Sequence, residues 1–282
     1  MLVCVEKLAH NKYGNTMKVI MIDVDGVLLD KEYQITTDLS AMAAFLRNSG
    51  TQVEIVPNSD TPVERLERIN FGTFGFKPRA IIAEKGAFVK FNGISYPIAN
   101  VTDIDDFILG LKKVFTTVDC DVVIGDSATW IREKKVFSPN RRMLIIDALR
   151  KQSVGFYLRT TDASGIPRID NAWFTEGKTL VETIPIPKGL EAKDYNESYG
   201  IVIMGAANAD KTSGFQYLKG LYPTDTKFFM VGDGDSDIIR DAQVIMCSVG
   251  NGSQALKDRS TYISGRTYTE GLLDCLEWIK SN

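Results

Sequence analysis

The sequence has 282 residues, of which 44% are hydrophobic and 24% are charged. This composition is ordinary for a globular protein and argues against disordered or fibrous chains. The 33 Lys and Arg residues are balanced by 36 Asp and Glu residues, which gives a net charge of −3. The basic surface typical of nucleic-acid-binding proteins is therefore not expected.

Membrane and secretory signals are not found in the sequence. No apolar run reaches the ~18 residues that would cross a bilayer, and MLVCVEKLAHNKYGNT lacks the apolar segment of a secretory signal. A zinc site or a disulfide framework is not expected, since no CxxC pair occurs among Cys4, Cys120, Cys247 and Cys275. These features predict a cytoplasmic protein with reduced thiols. The single histidine, His10, makes a Ser-His-Asp triad an improbable mechanism.

Strands and helices alternate in the first and last parts of the chain. Lys18–Ile22 is a short apolar run with β-branched residues, which predicts a buried strand of a parallel sheet. This alternation predicts an α/β, Rossmann-like, doubly wound parallel sheet. The other predicted strands cover 51–56, 80–83, 227–231 and 244–249, and the helices cover 36–49, TPVERLERIN, 211–221, 236–242, 253–258 and 270–280.

The middle of the chain has a less regular pattern. Its length of about 120 residues is enough for a separate α+β domain. Helices are predicted over 104–114 and 141–151, and strands over 87–91, 122–124, 154–159, 179–184 and 201–204. The predicted organisation is an N-terminal extension over 1–16, a core over 17–84 and 205–282, and an inserted domain over 85–204.

Two acidic clusters follow predicted strands. Asp23 and Asp25 lie in DVDG after the first strand, and Asp233 and Asp237 lie in GDGDSD after a late strand. Because ligands of open parallel sheets bind at the carboxyl ends of strands, the fold would bring four carboxylates into one crevice. Their mutual repulsion calls for a cation, and oxygen ligands without His or Cys favour Mg²⁺.

A carboxylate can also attack phosphorus and form an aspartyl-phosphate. That reaction needs a metal, together with cationic and hydroxyl donors for the phosphoryl oxygens. Ser59 ends the second predicted strand and Lys211 begins the helix after the insert, so both are candidate donors. Asp25 is two residues from Asp23 and can act as general acid and then as general base.

The sequence resembles the haloacid dehalogenase (HAD) superfamily. The four motifs of that family are similar, in order, to DVDGVL, Ser59, Lys211 and GDGDSD. The long interval between Ser59 and Lys211 resembles that of members with a type-two cap domain. Two further segments are similar to stretches of Cof-type and sucrose-phosphate-phosphatase-like members, namely IIAEKGAFVKFNG and VGNGSQALKDRSTYIS. The resemblance covers about residues 17–92 and 205–282, and it implies that the insert over 85–204 is a cap.

The resemblance also implies roles. Asp23 would be the nucleophile and Asp25 the general acid and base. Mg²⁺ would be held by Asp23, the backbone carbonyl of Asp25 and Asp233, with Asp237 in the outer shell. The implied function is Mg²⁺-dependent hydrolysis of a small phosphomonoester, such as a sugar phosphate or a related metabolite. The implied phosphate ligands are Ser59, Lys211 and Asn251.

Three positions depart from the family pattern. Ser59-Asp60-Thr61 stands where Thr-Gly-Arg is frequent, and Lys85 and Ser236 each replace an Asn. Phosphomutase or phosphotransferase activity on the same fold stays open, because an alcohol could replace water as the acceptor. The alternatives of another class are a phosphoaspartate signalling receiver and a catalytically inactive binding protein. The long insert and GDGDSD argue against the receiver.

Overall fold

The computed structural model describes residues 16–30, 34–35, 40, 42, 44–45, 53–69, 71 and 76–282. The chain divides into two compact units, one formed by residues up to Ile98 together with Ala209–Asn282, and the other by Ala99–Asn208. Apart from Thr16, the predicted N-terminal extension lies outside the described residues.

The boundary between the units falls after Ile98, whereas the sequence predicted it after residue 84. The reason is a small antiparallel sheet in the first unit. Its strands are β3 (Ala80–Ala83), β4 (Phe88–Phe91) and β5 (Ile94–Pro97), paired in that order. Because β4 and β5 complete this sheet, the residues up to Ile98 belong with the first unit.

A five-stranded parallel sheet is the centre of the first unit. Its order is β14 (Tyr262–Ile263), β13 (Val244–Ser248), β12 (Lys227–Gly232), β1 (Lys18–Ile22) and β2 (Val53–Pro57). Ile20 and Ile22 of β1 face one apolar layer, and Val19 and Met21 face the other. Strands that are buried on both faces of a sheet have continuous apolar sequences, as β1 does. The predicted doubly wound α/β core is therefore confirmed.

The helices of the first unit whose bounds lie within the described residues are α1 (Val63–Arg68), α5 (Lys211–Lys219), α6 (Gln254–Arg259) and α7 (Tyr268–Ser281). Of the helix predicted over 36–49, the structure describes only Ser40, Met42, Ala44 and Phe45, which are helical. Within the described ranges of the chain, no helix combines the length and the apolar character that crossing a membrane would require.

The prediction of a helix over 236–242 is wrong. Asp235–Asp237 form a single 3₁₀ turn, and the backbone of Ile238 is extended. The Asp237 carboxylate accepts hydrogen bonds from the backbone N–H groups of Asp233 and Gly234, both at 2.8 Å. Such side-chain bonds to the local backbone compete with helix formation.

The second unit has a mixed sheet, and two of its helices pack on one face. Its order is β10 (Asp194–Asn196), β11 (Ile201–Met204), β8 (Val154–Thr161), β7 (Arg142–Asp147) and β6 (Cys120–Gly125), and β9 (Pro167–Arg168) pairs with β8. Only β6 and β7 run parallel to each other. Helices α2 (Ile104–Phe115) and α4 (Asn171–Glu182) pack their apolar residues with Phe156 and Leu158 of β8, and a short helix, α3 (Ser127–Arg132), follows β6.

Two predictions in this unit are wrong. The helix predicted over 141–151 contains β7, in which Met143, Leu144, Ile145 and Ile146 are all buried. Strands buried on both faces lose the alternation that distinguishes them from helices. The strand predicted over 179–184 is the last turn of α4 and the residues that follow it.

Candidate active site

The carboxyl end of β1 lies between the ends of two neighbouring strands. The Asp23 N–H donates to the Val231 carbonyl at 2.9 Å, and the Asn58 N–H donates to the Ile22 carbonyl at 2.8 Å. These bonds continue the parallel ladders beyond the last residue of β1 and of β2. The residues that follow β1, β2 and β12 are therefore held side by side.

Lys211 connects two carboxylates of the site. Its Nζ donates to Asp23 Oδ1 at 2.9 Å and to Asp237 Oδ1 at 2.5 Å. Burial alone would lower the pKa of the Lys211 ammonium, but the charges of Asp23 and Asp237 outweigh it and raise that pKa. Burial raises the pKa of Asp23 well above its usual range, although Lys211 opposes the shift. The sequence predicted that these groups would lie in one crevice, and the structure brings them into contact.

Three carboxylates of this site could hold a metal ion. Asp23, Asp233 and Asp237 each have an oxygen within 4.8 Å of the others. Burial and then the charge of Asp237 raise the pKa of Asp233 to about 6. Lys211 supplies one positive charge to these three acids, so a divalent cation would neutralise the remainder. The oxygen-only donor set fits Mg²⁺.

Asp237 and Gly26 shape the turns that carry these carboxylates. The two oxygens of Asp237 already accept bonds from Lys211 and from two backbone N–H groups, which suits the outer position predicted for it. Gly26 has a φ of +91°, and a Cβ there would lie 2.1 Å from Asp233 Oδ2. Only glycine combines that backbone conformation with so close an approach.

Asn251 connects the Gly26 loop to two other elements. Its Nδ2 donates to the Gly26 carbonyl at 2.9 Å and to Asp233 Oδ2 at 3.4 Å. Its Oδ1 accepts from the Tyr268 N–H at the start of α7, at 2.9 Å. Both ends of the amide are thus engaged with the protein, and the predicted phosphate contact of Asn251 stays a prediction.

Thr61 links the remaining predicted site residues, Asp25 and Ser59. Its Oγ1 donates to Asp25 Oδ2 at 3.3 Å, and its N–H donates to Ser59 Oγ at 3.1 Å. Ser59 is buried, whereas the Asp25 side chain reaches solvent. Desolvation by the surrounding protein nevertheless raises the pKa of Asp25. The sequence analysis noted Thr61 only as a departure from the family pattern and missed this contact, which has no signal in the local sequence.

Lys211 is positioned by a close approach between a turn and the start of α5. Asp210 caps this helix by accepting the Ser213 N–H at 2.8 Å. Gly86 has a φ of +91°, and a Cβ there would lie 1.8 Å from the Asp210 carbonyl oxygen. A side chain at position 86 would therefore displace the beginning of α5. Lys85 precedes this glycine and adopts the left-handed region, with φ +58° and ψ +34°.

Replacing Lys85 by asparagine is expected to stabilise the fold by about 0.5–1 kcal/mol, because asparagine enters the left-handed region at lower cost than lysine. The measurement is the free energy of unfolding in urea. Lys90→Asn, in the interior of β4, is the control, since strands disfavour asparagine and stability there should fall. A Lys85→Asn protein no more stable than wild type would contradict the explanation.

Neither a protein-family model nor a curated protein matches the sequence. Solved structures match nearly all of it. A phosphatase of the haloalkanoate (HAD) enzyme superfamily from Bacteroides thetaiotaomicron is 18% identical, covering 95% of this chain and 97% of that chain with a TM-score of 0.56. A haloacid dehalogenase-like hydrolase from the same organism is 13% identical, with 94% and 100% covered and a TM-score of 0.62.

A HAD/COF-like hydrolase from Plasmodium vivax is 16% identical, with 95% of this chain and 97% of that chain covered and a TM-score of 0.59. At such identities the similarity establishes the fold. The resemblance found in the motifs agrees with it, since DVDG and GDGDSD follow adjacent strands of the sheet. The chain therefore has the fold of the haloacid dehalogenase superfamily, in the form shared with its Cof-type hydrolases.

Proposed function

We propose that this protein is a Mg²⁺-dependent phosphatase that hydrolyses a small phosphomonoester, such as a sugar phosphate or a related metabolite. The observation that carries the proposal is the environment of Asp23. Its carboxylate is buried, is held by Lys211 and lies beside Asp233 and Asp237. A neighbour in fold that is itself named a phosphatase supports the proposal.

In the proposed reaction, Asp23 attacks the phosphorus of the substrate. The new oxygen–phosphorus bond gives an aspartyl-phosphate, and the bond to the leaving oxygen breaks as Asp25 protonates that oxygen. Asp25 then takes a proton from water, which attacks the same phosphorus and releases inorganic phosphate from Asp23. Ser59 and Lys211 would stabilise the phosphoryl oxygens.

The metal would be held by Asp23, Asp233 and the backbone carbonyl of Asp25. Asp237 would lie in the outer shell. When bound, Mg²⁺ would neutralise charge on the phosphoryl group. The contact between Lys211 and Asp23 fixes the orientation of the nucleophile. The contact between Thr61 and Asp25 positions the acid and base.

Removing the metal tests the first part of this proposal. Phosphate release is expected to stop in excess EDTA and to return with Mg²⁺, while Ca²⁺ inhibits because its longer bonds and larger ligand number disturb the geometry at phosphorus. Mg²⁺ should also raise the thermal midpoint of the wild-type protein. The increase should be smaller for Asp233→Asn, which lacks one of the proposed ligands. Full activity after complete metal removal would contradict the proposal.

The role of Asp25 can be tested by a burst experiment with a nitrophenyl phosphate and Asp25→Asn. The leaving nitrophenolate needs little protonation, so the first step should proceed. Hydrolysis of the aspartyl-phosphate lacks its base, so a burst approaching one equivalent should precede slow turnover. Acid trapping should recover the phosphoenzyme, and Asp23→Asn should give neither burst nor trapped phosphate. Turnover of Asp25→Asn at the wild-type rate with nothing trapped would disprove the assignment.

A further inference from the structure

A cleft in the first unit lies at the end of the parallel sheet away from Asp23. Its volume is about 510 Å³, which is within the usual range for small-molecule sites. It is formed by the end of α5 and by the loops before β12 and β13, where Phe228 begins the pairing of these strands with Val244. Lys211 starts α5 and Lys219 ends it, about 12 Å further along the helix axis. The cleft is therefore separate from the candidate active site.

The two charged side chains that line this cleft neutralise each other. Lys219 Nζ donates to Asp241 Oδ2 at 3.0 Å. The other carboxylate oxygen, Asp241 Oδ1, accepts from the backbone N–H of Gln243 at 2.9 Å. A charged ligand would be attracted by one member of this pair and repelled by the other. The charges of the cleft therefore favour a neutral ligand.

Three neutral polar side chains of the cleft are available to a ligand. Gln216, Thr224 and Gln243 are exposed, and their side chains make no hydrogen bond with the described parts of the chain. Each amide and the hydroxyl can both donate and accept. By contrast, Tyr222 and Phe228 are each only 4% exposed, so they offer little ring surface on which an aromatic base could stack. The cleft therefore favours a ligand with several hydroxyl groups over a flat heterocycle.

We propose that this cleft binds a neutral monosaccharide or cyclic polyol. Adjacent hydroxyl groups of such a ring can each donate and accept, so one would donate to the Asp241 carboxylate while the next accepts from the Lys219 ammonium. Hydrogen bonds to charged groups are the stronger ones, so this pair would contribute most of the affinity. The side chains of Gln216, Thr224 and Gln243 would bind the remaining hydroxyl groups. This site goes beyond the proposed phosphatase reaction, because it needs neither the nucleophile nor a metal.

The test follows side-chain amide signals by NMR of the ¹⁵N-labelled full chain. The signals are assigned by their loss in Gln216→Leu, Gln243→Leu and Gln254→Leu. D-Glucose, D-ribose and myo-inositol are titrated separately, with dioxane as the reference because its ring carries no hydroxyl group. In at least one titration the signals of Gln216 and Gln243 should shift saturably, while that of Gln254, which already donates to Asp258, follows the dioxane reference. Shifts that follow dioxane in all three titrations would overturn the proposal.

A double variant, Lys219→Met with Asp241→Asn, tests the contribution of the ion pair. Both charges are removed together, so neither is left unpaired, and the dispersion of the same spectra shows whether the fold is kept. The dissociation constant of the compound that saturates should rise by at least about tenfold, because two charge-assisted hydrogen bonds are lost. A smaller rise would overturn the proposal. Binding is observed without turnover, so either result leaves the chemistry proposed for Asp23 untouched.

Discussion

Replacing Asp23 by asparagine is expected to lower phosphate release by at least about 10³-fold while the fold stays intact. The amide has nearly the same shape but is a far weaker nucleophile and metal ligand. The asparagine side chain keeps an oxygen that can accept from Lys211, and Asp237 still compensates that lysine, so the thermal midpoint should change little. Phosphate release and thermal melting, measured on the same preparation, check both parts.

Asp225→Asn is the matched control for this experiment. Asp225 is an exposed carboxylate in the turn before β12, at the opposite end of that strand from Asp233. Its substitution should change neither activity nor melting. Activity of Asp23→Asn within about tenfold of wild type would contradict a covalent mechanism, since that corresponds to only ~1.4 kcal/mol of barrier.

Replacing Lys211 by methionine is expected to destabilise the fold by about 3–5 kcal/mol and to abolish phosphate release. Asp23 and Asp237 share this single ammonium group, and its removal leaves two buried carboxylates without compensation. The free energy of unfolding in urea, measured in EDTA, gives the size of the loss. Mg²⁺ should restore part of this stability, because the cation would replace the missing positive charge.

Lys219→Met is the control on the same helix. Lys219 lies at the other end of α5, its side chain is 34% exposed, and it pairs with Asp241 at 3.0 Å. Exposed pairs of this kind contribute at most about 1 kcal/mol. Similar losses of stability in the two variants would show that Lys211 is an ordinary helix residue and not the shared counter-ion of a site.

The parallel sheet could be predicted because its central strands are short apolar runs that end in acidic turns. Lys18–Ile22 and the strand at residue 227 were therefore placed correctly, and with them the turns that carry Asp23 and Asp233. The middle of the chain lacks this contrast between apolar strands and the polar turns that end them. The run at Met143–Ile146 fits a buried strand and a buried helix equally well, and the choice depends on β6 and β8 on either side of it.

The details that position the site could not be predicted, because they depend on contacts between residues far apart in the chain. The bond from Thr61 to Asp25 and the close approach of Gly86 to Asp210 exist only once the sheet has formed. The turn at Asp237 was assigned to a helix because its sequence is compatible with one. The hydrogen bonds that the backbone N–H groups of Asp233 and Gly234 donate to the Asp237 carboxylate favour a single 3₁₀ turn instead.

The pairing of β1 with β12 has a consequence for folding during synthesis. Lys18 pairs with Lys227, so β1 leaves the ribosome long before one of its two neighbours exists. Until then its free edge can pair wrongly with other strands. The unit over Ala99–Asn208 is one continuous segment with its own core and can fold earlier. We therefore expect the inserted unit to form first, and the pairing of β1 with β12, which brings Asp23 beside Asp233, to form last.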